Sequence, residues 1–261
     1  MKRTVAIALA TLVLSVPAFA DVALKQTTRG KGLGFSGETT GTTYIKGNKM
    51  RSDLVMDGKT QTTIFDLDAQ KMYSFDSKKK EADVWDMQAL GAEISKSVDI
   101  SAAKASLKPN GQTKQIAGQT ANGYDMDVTM QAALGGNKEM MMSVTTTGPV
   151  WIAKGAPGAS DYVGFYKAAA EKGFIFSDPR AAKAQPGQAK AMAEMYKQIA
   201  DIGGIAYETD MQMKMGGSGP MALFGRLGNV SLNTVVTGVE TTPLPDDLFA
   251  PPAGYKLKPQ R

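Results

Sequence analysis

The stretch TTIFDLDAQKMYSFDSKKK, residues Thr62 to Lys80, decides the fold because it shows how the chain turns. It contains three carboxylates, Asp66, Asp68 and Asp76. Carboxylates this close together in sequence have two interpretations: they hold a metal ion through their oxygen atoms, or they lie in the turns between strands. The choice between the two separates a metal-binding protein from one in which these carboxylates have only a structural role.

The residues after Asp66 exclude a calcium loop of the EF-hand type. Such a loop needs Gly at its sixth position and Glu at its twelfth. Lys71 and Ser77 stand at these positions. Asp commonly forms turns because its side chain accepts hydrogen bonds from nearby backbone amides. The sequence therefore predicts that Asp66 and Asp68 shape one turn and Asp76 the next, with a looser oxygen site as the weaker alternative.

The surrounding residues, from Thr39 to Met87, predict an antiparallel meander. Gly47-Asn48 and Asp57-Gly58 are typical hairpin turns, and the segments between the turns alternate between polar and apolar residues. The last of these strands carries Trp85. Connections this short join neighbouring antiparallel strands.

The rest of the chain predicts a mixture of helices and further strands. Helices are expected over Met87 to Leu107, from Ser160 as an N-cap, and over Gln188 to Ile202, which ends at Gly203. Further strands are expected at residues 113–116, 123–130, 140–152, 205–215 and 229–241. The Gly-rich residues 32–37 are expected to be a flexible start, residues 215–225 a mobile loop, and the Pro-rich C-terminal tail an extended surface segment. We expect one α+β domain over residues 21–261.

The N-terminus has the pattern of a secretory signal peptide. Lys2 and Arg3 precede an apolar run from Val5 to Val16, and Ala18-Phe19-Ala20 matches a cleavage site before Asp21. The run is shorter than the roughly 20 residues that span a bilayer. We therefore expect residues 1–20 to be removed after Ala20 and the mature protein to be exported to the periplasm. No later segment is apolar for long enough to span a membrane.

The composition excludes several classes of enzyme. There is no cysteine and no histidine, so disulfides, thiolate metal sites, standard zinc sites and Ser-His-Asp or Cys-His catalysis are excluded. The G-x-G-x-x-G match at 32–37 leads into Thr-rich strand sequence rather than a helix, and the S-x-x-K at 101–104 lacks companion motifs. We expect no catalytic residues, no metal and no cofactor. Without Lys2 and Arg3, 28 basic residues face 25 acidic ones, too small a net charge to indicate nucleic acid.

Methionine is unusually frequent, with 16 residues. If residues 205–215 form a strand, Met211, Met213 and Met215 share one face, because side chains alternate along a strand. Thioethers are soft ligands that suit Cu(I). Methionine also fills cores and adaptable apolar pockets. The second interpretation is favoured, and Cu(I) binding remains the alternative.

Taken together, several segments resemble exported proteins of the DUF4412 type, a family of unknown function that is similar to the LolA-like periplasmic lipoprotein carriers. The resemblance is carried by YIKGNKMRSDL, IFDLDAQKMYSFD, IAGQTANGYDM, VWIAKGAPGASDYVGFY and LFAPPAGYK. It implies a curved, incompletely closed antiparallel β-barrel with helices over its open side. It also implies an apolar cavity for a lipid or lipoprotein acyl chain, and a basic residue on the sheet for which Arg51 is a positional assignment.

From this fold and the apolar pattern we expect an apolar cavity with ten lining residues: Met140, Met142, Tyr162, Phe165, Tyr166, Met192, Met195, Met211, Met213 and Met215. The predicted function is non-enzymatic binding of a hydrophobic ligand in the periplasm. The alternatives are an envelope-stress or protein-interaction factor without a small ligand, and Met-based Cu(I) binding.

Overall fold

The computed structural model describes residues 21–32, 35–76, 78–97, 103–134, 137–174, 179, 182, 186–217 and 229–260, so the predicted signal peptide lies outside the described residues. Its main feature is a 12-stranded sheet in the order β12-β6-β5-β4-β3-β2-β1-β11-β10-β9-β8-β7. Neighbouring strands are antiparallel except for β12, which is parallel to β6. Strands β7 and β12 are the two ends of this order, so the sheet is not closed into a complete barrel.

The elements have the following bounds in chain order. The first half contains β1 (Val22–Gly32), β2 (Phe35–Lys46), β3 (Lys49–Met56), β4 (Lys59–Asp66), β5 (Lys71–Asp76), β6 (Glu81–Asp86), α1 (Met87–Ser97), β7 (Ala103–Ile116) and β8 (Gln119–Leu134). The second half contains β9 (Asn137–Lys154), α2 (Ala159–Glu171), α3 (Pro186–Ile202), β10 (Gly204–Gly217), β11 (Val230–Glu240), a 3-10 helix (Asp246–Phe249) and β12 (Lys256–Pro259). No helix among the described residues combines the length and apolar character needed to cross a membrane.

Asp66 and Asp76 end strands β4 and β5, and their carboxylates shape the turns that follow, as predicted. Asp66 Oδ1 accepts hydrogen bonds from the backbone N–H groups of Asp68 (3.0 Å) and Ala69 (2.8 Å). Asp76 Oδ1 accepts the N–H groups of residues 78 and 79, each at 2.8 Å. These backbone hydrogen bonds lower the pKa of Asp76 below its usual range because they stabilise the carboxylate. Within the described residues, no group of three or more acidic side chains is arranged to hold a metal ion.

The two faces of the sheet are covered differently. The inner face carries the main core, in which Leu24, Ile45 and Met50 of neighbouring strands pack with Phe165 of α2 and Ile199 of α3. This division follows from alternation, because every second residue of a strand points to the same side. The helices therefore cover the inner face, and the sheet and helices enclose the space between them.

The C-terminal tail covers part of the outer face. Phe75 and Tyr255 pack edge to face, with ring centroids 5.4 Å apart, beside a small cluster of buried outer-face side chains. The Lys46 ammonium donates to the Leu244 carbonyl at 2.6 Å, and Phe249 is buried. The tail therefore lies on the surface as predicted, but it also forms the 3-10 helix and β12.

The β7 edge of the sheet is capped by a side chain of α3. Gln198 Nε2 donates to the Ala105 carbonyl at 2.7 Å, and the Leu107 N–H donates to Gln198 Oε1 at 3.0 Å. The side-chain amide thus occupies two backbone groups that a thirteenth strand would otherwise pair with. Covering an edge in this way limits pairing with other chains.

Most predicted strands are confirmed, but three local predictions are wrong. The helix that begins at Met87 ends at Ser97, and residues from Ala103 onward are strand β7 rather than helix. The edge position beside β8 and the capping by Gln198 stabilise an extended conformation there, which overrides helix propensity. The Gly-rich residues 32–37 are not a flexible start: the described ones pair in the β1–β2 hairpin.

The start of α2 also differs from the prediction. The helix begins at Ala159, and its N-cap is Gly158 at φ 74°, without a side-chain capping bond. The Ser160 hydroxyl donates to the neighbouring Asp161 carboxylate at 3.0 Å. Ser160 is therefore inside the first turn. Of the predicted mobile loop, residues 218–225 lie outside the described residues.

Candidate functional site

A cavity of about 390 Å³ lies between the inner face of the sheet and the helices α2 and α3. Its floor comes from six strands that are consecutive in the sheet, β4, β3, β2, β1, β11 and β10. The open, mostly antiparallel sheet with helices over one face is therefore shown, and it is consistent with the predicted curved, incompletely closed barrel.

The roof of the cavity contains three tyrosines, Tyr162, Tyr166 and Tyr196, which we call the tyrosine cluster. Tyr166 is central: its ring centroid lies 4.6 Å from that of Tyr162 and 4.9 Å from that of Tyr196, with which it stacks. Its hydroxyl reaches across to the sheet and donates to the Met50 sulfur at 3.7 Å. Burial raises the pKa of all three tyrosines above the usual range, because the charged form would lose its hydration. Tyrosine is ordinarily neutral at physiological pH, and none of the lining residues from α2 and α3 is acidic or basic, so the roof is uncharged there.

The floor combines apolar residues with two rows of hydroxyl side chains. Strand pairing places Thr43 opposite Ser52, and Ser52 opposite Thr63, across β2, β3 and β4. We call these three residues the first hydroxyl row. The second hydroxyl row is Thr28, Thr234 and Thr209 across β1, β11 and β10. All six residues line the cavity.

The structure brings five of the ten predicted site residues together. Tyr162, Tyr166, Met192, Met195 and Met211 line the cavity, from α2, α3 and β10. They come from three segments of the chain: the amphipathic pattern of the two helices indicated the first four, and side-chain alternation along the strand indicated Met211. The assignment of these residues to a ligand remains a prediction.

The other five predicted residues have different positions. Phe165 is buried in the core and does not line the cavity. Met213 and Met215 share the Met211 side of β10, as the alternation predicts, but lie beyond the lining toward the Gly217 end of the strand. Met140 and Met142 belong to β9, and their side chains lie outside the described residues.

Several lining residues were missed from the sequence. Tyr196 lies one helical turn from Met192, so the helical pattern contained a signal for it. Ser52, Thr63 and Thr209 gave no signal, since polar residues on a strand are ordinarily assigned to the solvent face. Arg51 lies on the opposite side of β3 from the lining residue Ser52, and it contacts Asp53 and the carbonyl of Leu248 instead.

A larger hollow of about 1000 Å³ lies at the β7 edge, between α1, α3 and β7. Lys104, Lys108, Lys190 and Lys197 are among its lining residues. Its wall at Phe174 is next in sequence to residues 175–178, which lie outside the described residues. The cavity over the inner face has described residues in both its floor and its roof, and it is therefore the candidate site.

The sequence matches no protein-family model and no curated protein. Solved structures similar to this chain include PNGF-II, at 12% identity and a TM-score of 0.37, over 92% of this chain and 31% of that one. A putative outer membrane lipoprotein-sorting protein domain from Vibrio parahaemolyticus has 9% identity and a TM-score of 0.31, over 89% of this chain and 90% of the other. A DUF1329 family protein from Desulfovibrio piger also has 9% identity and a TM-score of 0.31, over 90% and 91%.

These likenesses include a protein of the lipoprotein-sorting class that the sequence resembles. With identities of 9–12% and TM-scores of 0.31–0.37 they carry no argument about function. The DUF4412 resemblance stays a prediction.

Proposed function

We propose that this protein is an exported, non-enzymatic binding protein that holds a hydrophobic molecule, a lipid or a lipoprotein acyl chain, in the cavity between the sheet and the helices α2 and α3. The observation that carries the proposal is the cavity of about 390 Å³. Ligand pockets are commonly about 300–1,000 Å³ and mostly apolar. The composition adds support, because the chain has no histidine or cysteine with which to build the commonest catalytic centres.

The apolar part of the lining suits an alkyl chain. Leu24, Phe65 and Val236 contribute from the floor, and Met195 and Ile199 from the roof. Methionine side chains are flexible and polarisable, so they adapt to guests of different shape. Burial of alkyl surface against such residues supplies about 25 cal/mol per Å².

Native mass spectrometry of protein exported by its own cells tests the proposal first, since a bound lipid adds a defined mass. Delipidated protein should then bind the fluorescent probe N-phenyl-1-naphthylamine, and an acyl glycerol should displace it. Absence of both the added mass and the probe binding would refute the proposal.

A pair of variants locates the site. Ala206 lines the cavity, so Ala206→Phe should fill part of it and weaken probe binding by about tenfold, which corresponds to about 1.4 kcal/mol. Lys214 is exposed on the same strand, and Lys214→Phe is the matched control that should bind as the parent does. Equal binding by both variants would place the probe elsewhere.

A second candidate function, protein interaction in the cell envelope, is favoured by an exposed hairpin tip. Leu54, Val55 and Met56, consecutive at the end of β3, have exposed fractions of 41%, 39% and 52%. Consecutive exposed apolar residues often mark interaction surfaces. A photo-crosslinker at position 55 should then capture a stoichiometric protein partner in cells, and one at Lys71, an exposed residue of β5, should not.

Cu(I) binding is the third candidate, because Met50, Met192, Met195 and Met211 all line the cavity. Thioether sulfur is a ligand that Cu(I) accepts. Anaerobic titration against a Cu(I) chelator measures this directly. Replacement of Met192, Met195 and Met211 by Leu should abolish any Cu(I) binding, while preserving the apolar volume that a lipid needs.

A further inference from the structure

Five polar side chains of the cavity floor have no hydrogen-bond partner among the described residues. They are Gln26, Thr43, Ser52, Thr63 and Thr209, and all are half-buried. The remaining members of the second hydroxyl row, Thr28 and Thr234, are hydrogen-bonded to each other, with their hydroxyl oxygens 2.9 Å apart. Buried polar groups in native proteins nearly always have a partner, which is protein, water or ligand.

The five groups are spread over five of the six floor strands. Gln26 lies on β1, Thr43 on β2, Ser52 on β3, Thr63 on β4 and Thr209 on β10. A guest in the cavity thus meets hydrogen-bonding groups along its floor side. On its roof side it meets the apolar side chains of Met192, Met195 and Ile199 beside the tyrosine cluster.

No charged side chain belongs to the cavity lining in the part of the chain that the structure describes. The tyrosine cluster is also neutral, because the tyrosine pKa is ordinarily about 10 and burial raises it further. A carboxylate or phosphate inside would therefore lose its hydration without meeting a cation, and an ammonium group would meet no carboxylate. The lining disfavours charged guests of both signs.

We infer that the cavity selects an uncharged amphiphile whose hydroxyl or ester groups lie along one side, such as an acyl glycerol, over a free fatty acid or a plain hydrocarbon. This inference rests on the proposed function, because it concerns the same cavity. A hydrocarbon would leave the five floor groups unpartnered, and an unpaired polar group against apolar surface is unfavourable. A hydroxyl group can donate or accept a hydrogen bond, and an ester oxygen can accept one, so both can bond to the floor side chains without bringing a charge into the cavity.

Three ligands with the same chain length separate the possibilities: 1-lauroylglycerol, laurate and dodecane, each displacing N-phenyl-1-naphthylamine from delipidated protein. At pH 8, lauroylglycerol should bind at least about tenfold more tightly than laurate or dodecane. Laurate should bind more tightly at pH 5 than at pH 8, because its neutral acid form increases as the pH falls. Lauroylglycerol should bind with the same affinity at both pH values, because it has no titratable group.

Isosteric substitutions test the floor itself. The double variant Thr43→Val/Thr209→Val removes two hydroxyls and should weaken lauroylglycerol binding by about 5–30-fold, as expected for the loss of one or two hydrogen bonds. Dodecane binding should be unchanged or tighter. Thr42→Val is the matched control, since Thr42 is the half-buried neighbour of Thr43 on the opposite side of β2.

The outcomes distinguish this inference from the proposed function. If none of the ligands binds and the probe does not bind either, the proposed function fails. If laurate or dodecane binds as tightly as lauroylglycerol at pH 8, the cavity binds hydrophobic molecules and the inference about their polarity is wrong. The same conclusion follows if the double Val variant binds lauroylglycerol as the parent protein does.

Discussion

Replacing Gly148 by Ala should be one of the most destabilising single-methyl changes in the described part of the protein. Gly148 lies in β9 at φ 145°, a backbone conformation that residues with a Cβ rarely adopt. A Cβ at this position would be 1.8 Å from the Asp210 carbonyl oxygen of β10, whereas real Cβ contacts are not closer than 3.0 Å. The two strands must therefore separate by at least 1.2 Å (3.0 minus 1.8) at this point.

The magnitude follows from two contributions. An unfavourable backbone conformation costs on the order of 1–3 kcal/mol, and forcing extra volume into a packed site costs typically about 1–3 kcal/mol. We therefore expect Gly148→Ala to lower the free energy of unfolding by about 2–6 kcal/mol. Gly155 is the matched control: it has φ 68° and nothing within 4 Å of a built Cβ. Gly155→Ala should cost only the left-handed conformation, about 1–2 kcal/mol.

Urea unfolding followed by tryptophan fluorescence measures both variants. The two tryptophans, Trp85 on β6 and Trp151 on β9, report on distant parts of the sheet. The slope of the free energy of unfolding against urea concentration should be the same in both variants, so that their unfolding midpoints can be compared directly. A difference between the two variants of less than about 0.5 kcal/mol, within the scatter of ordinary surface substitutions, would refute the argument from the close approach of β9 and β10.

Three further predictions concern stability. Gln198→Met keeps the side-chain volume but removes both hydrogen bonds to the β7 edge, so it should lower the free energy of unfolding in urea by about 1–3 kcal/mol. The control Lys197→Met, at the exposed neighbouring residue, should change that free energy by less than about 0.5 kcal/mol. Similar losses in both variants would contradict the capping role of Gln198. The tyrosine cluster has raised pKa values, so its contribution to stability is complete below pH 10, the usual tyrosine pKa, and is lost as the pH rises through the pKa values of the folded state. In a pH titration, tyrosinate absorbance should therefore rise in two phases, the second together with the loss of circular dichroism. A single phase that precedes unfolding would contradict the burial of these tyrosines. The pKa of Asp76 is lowered, so the carboxylate's contribution to stability is present above its usual pKa of 3.8 and is lost as the pH falls through the pKa of the folded state. The difference in unfolding free energy between the parent protein and Asp76→Ala should therefore narrow with acidification. A difference that is constant from pH 7 to pH 2 would contradict the carboxylate's role in the turn.

The local features of the fold were readable from the sequence because their causes are local. Asp66 and Asp76 bond to amides two and three residues away, so their role depends on nothing distant. The meander from β2 to β6 follows from short turns between alternating segments. The helix α3 and its end at Gly203, where φ is 84°, follow from apolar spacing and from the freedom of glycine to adopt this conformation.

The errors occurred where distant partners decide the conformation. Residues after Ser97 have helix-forming composition, yet from Ala103 they pair with β8 and are capped by Gln198, some 91 residues along the chain from Leu107. Residues 32–37 look flexible by composition, but β1 pairs with both β2 and β11. In both places, pairing with a distant strand or helix outweighs local propensity.

The sequence by itself determined the strands of the meander, most of the later strands, the apolar faces of α2 and α3, and which chemistries the absence of histidine and cysteine excludes. The tertiary structure alone decided what meets in the cavity. Strand β1 pairs with β11 more than 200 residues later, for example Ala23 with Glu240, and this pairing brings Thr209 and Thr43 to the same floor. A hydroxyl on a strand is ordinarily assigned from sequence to the solvent face, and only the packing of α2 and α3 over this face of the sheet makes it line a cavity.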